Sequence, residues 1–391
     1  MTVLDSPQRE SLRRELLAKV EQVRATLLDD ISTSQALRTM APRSVAALRE
    51  AGLFSLKLPA ELGGLEPDPM LQVEIIEAVS YIDASVGWNV CIGNGASSLC
   101  AYWPDKAIAA MFKDGHIPTM AGVFNPVRAV PCAGGLRVNG RWSWGSGIRH
   151  AEWVAAHVLL DHGEGQAPSS RLVTMPIGAV SVHDNWHVAG LQATGSCDFS
   201  AQDLFIADGF SFELKDLTPK RGGPFYRMGL PGLLINEFMA LNFGVARRAL
   251  DEMIQIIKTK KRGYGKPTTS ADRGVVQRAI GEADLKLRAV RALAMQILES
   301  AWTTVCSGEQ PSLEQQVDMR SVTVLSSQVA VEIAAQAQRY SGGQAIFLDH
   351  ILQRCLRDLQ TAAVHLFVSD TAFEQRGQLL LGQEVSDPMG G

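Results

Sequence analysis

Nothing in the cysteine pattern of this 391-residue chain points to a metal or a redox dithiol. The six cysteines (Cys91, Cys100, Cys132, Cys197, Cys306 and Cys355) are widely scattered and none forms a C-x-x-C pair, so buried free thiols are expected. Charge of one sign is equally scarce. With a formal net charge of −4 and lysines and arginines spread along the chain, there is no basic stripe to neutralise a run of phosphates, which removes nucleic acid as a partner. No stretch reaches the ~20 uninterrupted apolar residues that span a bilayer, and the opening MTVLDSPQRESLRREL has no signal-peptide core. The expectation is a cytoplasmic protein with no membrane partner. Phosphate loops are missing too: GNGASS (93–98) lacks the third glycine and follows a helical pattern, and neither a Walker loop nor a G-x-S-x-G elbow occurs. His183 and His187 are spaced i, i+4, but Asp184-Asn185 between them favours a turn over a metal-binding helix.

What is present is apolar residue enough, 46%, for a core in each of two or three domains. Ser6-Pro7 reads as a helix start, and Leu12, Leu16, Val20, Val23 and Leu27 then recur on one face. Pro42 opens a second helix that ends near Gly52, and helical patterning continues to about residue 118. After Pro118 the texture becomes short β-rich runs broken by glycine and proline, with Asn139-Gly140 in RVNGRW as a hairpin signal. From about 230 onward long amphipathic segments return. The expected fold class is α+β and mainly helical: an N-terminal helical domain (1–118), a middle antiparallel β domain (119–225) and a C-terminal four-helix bundle (226–391).

Five segments in this order, LPAELGG (58–64), DASVGWNV (83–90), VNGRWSWGSGIRHAEWV (138–154), WHVAGLQATGSCDF (186–199) and LQRCLRDLQTAAVH (352–365), resemble the acyl-CoA dehydrogenase superfamily over nearly the whole chain. Within it the sequence is most similar to the two-component flavin-dependent monooxygenases. The resemblance implies FAD or FMN, used as a reduced co-substrate with molecular oxygen. It places Ser146 at flavin N5, where a small hydroxyl donor suits an atom that changes protonation. It also brings Phe124 and Asn125, in TMAGVFNP, to the pyrimidine edge, and Gly147 beside the ring. Trp144 becomes the aromatic wall, with Trp142 a second candidate and core packing the plainer role for either. Thr194, Gly195 and Ser196 fall near the cofactor phosphates. KKRGYGKP (260–267) resembles the segment that reaches adenine, with Lys261 or Arg262 at the arginine position and Tyr264 in place of phenylalanine; a solvated basic loop is the alternative.

Two reactions then compete. In a dehydrogenase a carboxylate removes the proton α to a thioester, and the superfamily's base position falls on Asp349. Aspartate is one methylene shorter than glutamate, and a misplacement of about 1 Å costs on the order of a hundredfold. FLDHILQRCLRD matches the monooxygenase pattern better. That reading implies a flavin hydroperoxide sheltered from water and a histidine acid/base, His365, suited by its ordinary pKa near 6.5. A single helix through residues 352–365 would set Arg354, Asp358, Thr361 and His365 on one face, where Arg354, Arg357 and Asp358 are read as structural. Where many relatives have a histidine, this chain has Ala96; Asn94 and Ser98 nearby, with Asp349, are candidate substrate contacts. The expected partners are a small aromatic substrate of the indole or phenol type, a separate flavin reductase and further copies of the chain, as a homotetramer. N-hydroxylation of an amine is the nearest variant.

Overall fold

The structure is a computed structural model and describes residues 6–163, 165, 167–262 and 268–385. Six helices come first: α1 (Ser6–Asp29), α2 (Ile31–Leu37), α3 (Pro42–Glu50), α4 (Pro69–Ile82), α5 (Ala84–Ser98) and α6 (Asp105–Met111). Strands β1 (Met120–Cys132), β2 (Gly135–Gly145), β3 (Trp153–Leu160), β4 (Ser169–Pro176), β5 (Ser181–Val182), β6 (Cys197–Ala207) and β7 (Ser211–Glu213) follow. Then come α7 (Gly229–Leu234), α8 (Asn236–Thr259), a ribbon of β8 (Lys261–Arg262) and β9 (Thr268–Thr269), α9 (Gly274–Cys306), α10 (Leu313–Ser341), α11 (Ile351–Ala362) and α12 (Thr371–Leu380). These elements form two compact, discontinuous units. One gathers Met1–Asp68, Trp88–His187 and Gln192–Gly229; the other gathers Pro69–Gly87, Val188–Leu191 and Leu230–Gly391. The units cut across the three sequence stretches, because α4 joins the C-terminal helices.

In the first unit α1 buries Leu16, Val20, Val23 and Leu27, the face its periodicity gave, and Pro42 stands at the first turn of α3. The sheet order is β5-β6-β2-β1-β3-β4-β7. All its pairs are antiparallel except β1 with β3, so the sheet is mixed and not purely antiparallel. Parallel neighbours need a crossover, which the excursion through β2 supplies. Its core stacks Trp142 on Phe199 with centroids 5.0 Å apart, and the Trp142 indole N–H donates to the His157 carbonyl at 3.0 Å. Trp142 is therefore core. The hairpin also moves: Asn139-Gly140 lies inside β2, and the chain reverses at Ala133-Gly134, where Gly134 has φ +77°. Asn139 instead marks a bulge against β6, its side-chain oxygen accepting from the Asp203 amide at 2.6 Å.

In the second unit α9 buries Val276, Ala279, Ala283, Leu287, Val290, Ala294, Leu298, Ala301 and Val305, one stripe at three- and four-residue spacing. Ser312 and Gln315 close a capping box at the start of α10. The segment Gly229–Thr259 is long and apolar enough to cross a membrane, yet 89% of that window is buried inside the fold, which makes it a core helix. It packs so tightly on α4 that a methyl group added at Gly244 would lie 2.3 Å from the Glu77 carbonyl. The last helix is shorter than the sequence suggests. α11 stops at Ala362, and His365 lies beyond it in turns closed by His365 N–H to the Ala362 carbonyl and Val368 N–H to the His365 carbonyl. The histidine ring itself accepts from the Phe367 amide at 3.2 Å, a local bond that competes with continued helix. Gly244→Ala is expected to lower the melting temperature markedly, at a cost of ~1–3 kcal/mol from overpacking against backbone; calorimetry showing wild-type melting would refute this close approach.

Candidate active site

The end of β2 builds the most distinctive polar feature of the first unit. A register shift between Trp142 and Gly145 interrupts its pairing with β6, and Trp144 takes φ +65° there, a left-handed conformation that a bulky residue rarely adopts. The bulge turns the Trp144 indole out of the sheet, leaving it 67% exposed. Two residues on, Ser146 is 4% exposed and its hydroxyl accepts from the Trp88 indole N–H at 2.8 Å. Ser196 lies 2.7 Å from the Ser146 oxygen, and Thr194 lies 2.6 Å from Ser196. Gly147, at φ +75°, donates its amide to the Thr194 carbonyl at 3.0 Å, tying the two turns together.

Trp88 can only donate, so it occupies one lone pair of Ser146. Within each of the pairs Ser146–Ser196 and Ser196–Thr194 either hydroxyl can be the donor; with Thr194 donating to Ser196 and Ser196 to Ser146, the Ser146 proton is free for a group outside the relay. The relay thus places a hydroxyl able to donate beside an outward-facing aromatic ring. Both features fit a flavin: a ring face to stack and a donor for a ring nitrogen. Three of the sequence candidates, Ser146, Thr194 and Ser196, are brought together in this way.

The other first-unit candidates are committed elsewhere. The Phe124 carbonyl accepts from the His157 ring at 2.8 Å. With its amide nitrogen turned to the Ser143 carbonyl, Asn125 pairs with the Ser143 backbone at 3.1 and 3.2 Å, bridging the β1 bulge. Asn94 is fully buried; it accepts from the Lys57 amide and donates to the Leu53 and Val90 carbonyls. Ser98, also fully buried, donates to the Gly95 carbonyl at 2.7 Å. Both are corrected from substrate contacts to internal ties, since buried polar groups must be satisfied within the fold. His187 meets Arg38 at 3.1 Å and His183 meets Ser200 at 2.9 Å, and among the described residues no group of His, Cys, Asp and Glu forms a metal site.

Sequence reasoning missed two neighbours of the relay. Trp88 was legible in the GW motif, but only the fold shows its N–H on Ser146. His150 follows the same turn, and a side chain at Gly147 would crowd its ring at 3.2 Å. Burial, aided by the Arg49 charge, lowers the His150 pKa to about 4, so it is a neutral imidazole.

In the second unit His365 packs its ring on Phe238, with centroids 4.6 Å apart, and on Phe367. This apolar cradle lowers its pKa to about 4 by desolvation, in place of the near-neutral value expected from the sequence. Because Nδ1 accepts from Phe367, the proton sits on Nε2. The group is a neutral donor through Nε2–H. Asp349 lies in an exposed turn just before α11. Arg262 sits in the two-residue strand β8 opposite Thr268, while Tyr264 lies outside the described residues.

Known proteins share this architecture. The family models described as acyl-CoA dehydrogenase N-terminal and C-terminal domains match residues 6–106 and 238–370. Indole-3-acetate monooxygenase of Pseudomonas putida is 28% identical over 341 residues, 87% of each chain. The oxygenase component of the FADH2-dependent resorcinol hydroxylase of Rhizobium sp. is 24% identical and covers 94% of each. Among solved structures, XiaF from Streptomyces sp. in complex with FADH2 and glycerol superimposes with a TM-score of 0.90 at 22% identity over 98% of both chains, which is a likeness of fold. For the indole on the β2 bulge, Trp144→Ala is expected to weaken flavin binding about tenfold in a fluorescence titration and to leave melting unchanged, because an exposed ring adds little to the core. Unaltered flavin affinity would exclude the ring from the cofactor surface.

Proposed function

Since the chain belongs to the acyl-CoA dehydrogenase family, we propose that it is the oxygenase component of a two-component flavin-dependent monooxygenase that hydroxylates a small aromatic substrate of the indole or phenol type. The observation that carries the reading is full-length similarity to curated oxygenases of indole-3-acetate and resorcinol. The placement of the two candidates supports it: Asp349 lies on an exposed turn, whereas the His365 ring packs against Phe238 and Phe367. Reduced FAD or FMN, when bound, would supply the electrons that activate molecular oxygen for transfer of one atom to the ring. A separate reductase delivers that flavin, and the chain assembles as a homotetramer.

The residues then divide the work. Ser146, held by Trp88 and Ser196, would offer its hydroxyl to N5 of a bound flavin, as a donor already in place at a nitrogen whose protonation the reaction changes. Trp144 offers its face to the ring, and Thr194 orders the relay from behind. His365 is neutral at physiological pH; with its Nδ1 lone pair engaged by the Phe367 amide, it acts through Nε2–H, donating to an oxygen that gains charge during the transfer. Its apolar neighbours Phe238 and Phe367 keep water from that exchange.

The test supplies flavin, a flavin reductase, nicotinamide and oxygen, then analyses indoles and phenols for a hydroxylated product. Acyl-CoA oxidation with an artificial acceptor, and no hydroxylation, would replace the reading with the dehydrogenase one. His365→Ala is expected to cut hydroxylated product per flavin oxidised by about a hundredfold, the size of a general acid–base contribution. Product formation as fast as wild type would remove the role.

A further inference from the structure

Between His187 and Gln192 the chain makes a brief visit to the second unit. Val188–Leu191 forms a strap there, lying on α11. A methyl group at Gly190 would fall 2.1 Å from the Arg357 carbonyl and 2.5 Å from the Thr361 hydroxyl, so only glycine allows the strap to lie flat on the helix. Leu191 next to it is left-handed, φ +51°, a conformation unfavourable for a side-chain-bearing residue that must be held. What holds it is buried. The carboxylate of Asp358 accepts from the Leu191 amide at 2.6 Å.

Downstream, the strap leads in three residues to Thr194. In that short turn the Ala193 carbonyl accepts from the Asn89 side chain at 3.4 Å, the Thr194 carbonyl accepts from Gly147, and the Thr194 hydroxyl enters the relay to Ser196 and Ser146. The path from Leu191 to Thr194 is short, with Gln192 and Ala193 between them and the Ala193 carbonyl held by Asn89.

We infer that Asp358 is a positioning residue for the flavin site, fixing through the Leu191 amide the strap that sets Thr194 and Ser196 behind the Ser146 hydroxyl. This deepens the monooxygenase reading and rests on it. The surroundings make the bond sensitive to protonation. Asp83, following α4, faces Asp358 as a second carboxylate, with its own partner Arg354 at 4.0 Å. Arg354 and Arg357 on α11, Arg248 on α8, the thiol of Cys355 and the phenol of Tyr81 on α4 are the other charged and titratable groups around it. Burial first, and Asp83 second, push the Asp358 pKa up to about 7, against the partial pull of the Leu191 amide and the two arginines. As a carboxylate Asp358 makes a charge-assisted bond to the amide, about twice as strong as the one a neutral carboxyl makes.

Two readouts with opposite signs separate positioning from packing. The folded-state pKa is raised, so the stability from Asp358 is full below the ordinary carboxylate value near 4 and is lost as pH rises through about 7. Flavin affinity should go the other way, tightening from pH 6 to pH 8 as the charged bond forms. Anaerobic titration of the intact protein with reduced flavin should show wild type binding about threefold to tenfold more tightly at pH 8. Asp358→Asn keeps an acceptor for Leu191 without the charge; it should bind flavin with the wild-type pH 6 affinity at both values. Asp358→Ala should bind about tenfold more weakly than the asparagine variant at both, with the helical circular dichroism retained. The inference is overturned if the asparagine variant keeps the wild-type pH step, or if the variants shift melting alone and leave flavin affinity untouched. Failure of wild type to bind flavin at either pH would overturn the monooxygenase reading and this inference together.

Discussion

Satisfying a buried hydroxyl is the constraint around which the first unit is organised. Ser146 is almost fully removed from water, and a lone hydroxyl there would cost on the order of 1–3 kcal/mol. The fold supplies an indole N–H from α5, and a chain of two further hydroxyls from the start of β6 and the turn before it. Meeting that requirement with hydroxyls that can each donate or accept also allows the Ser146 proton to be offered to an outside group. The same interactions that make the turn stable therefore make it chemically useful, and the bulge that brings Ser146 inward is the one that throws Trp144 out.

Desolvation acts in the second unit with opposite consequences for two groups. An apolar cradle of phenylalanines keeps His365 neutral well below physiological pH. A carboxylate neighbour and the same loss of water hold Asp358 near neutrality, where most aspartates are fully charged. Burial penalises whichever form carries charge, so it lowers one pKa and raises the other. Of these two groups it is the aspartate, and not the histidine, that titrates near pH 7.

The parts of the fold legible in the sequence are those set by local pattern. The α1 face, the proline at the start of α3, the α9 stripe and the switch to β texture after Pro118 all follow from spacing and backbone preference. Local signals failed where a distant strand or side chain competed. Asn139-Gly140 is a good turn dipeptide, but pairing of β2 with β6 draws it into a strand and spends it on a bulge. The helix expected to carry His365 ends early because the imidazole bonds to backbone and packs on aromatics. Asn94 and Ser98 looked like substrate contacts because both are polar; only their burial shows that backbone carbonyls consume them.

By itself, the sequence determined the family, the order of helical and β-rich stretches and the candidate residues Ser146 and His365, because motif identity and apolar periodicity are properties of neighbours along the chain. Tertiary structure alone decided which candidates meet in a hydroxyl relay, which are neutral at working pH and which are spent on internal bonds. Those outcomes depend on water exclusion and on hydrogen-bond partners that sit from a few dozen to more than 160 residues away, as Trp88 does from Ser146 and Asp358 from Leu191. No local pattern encodes a dielectric environment.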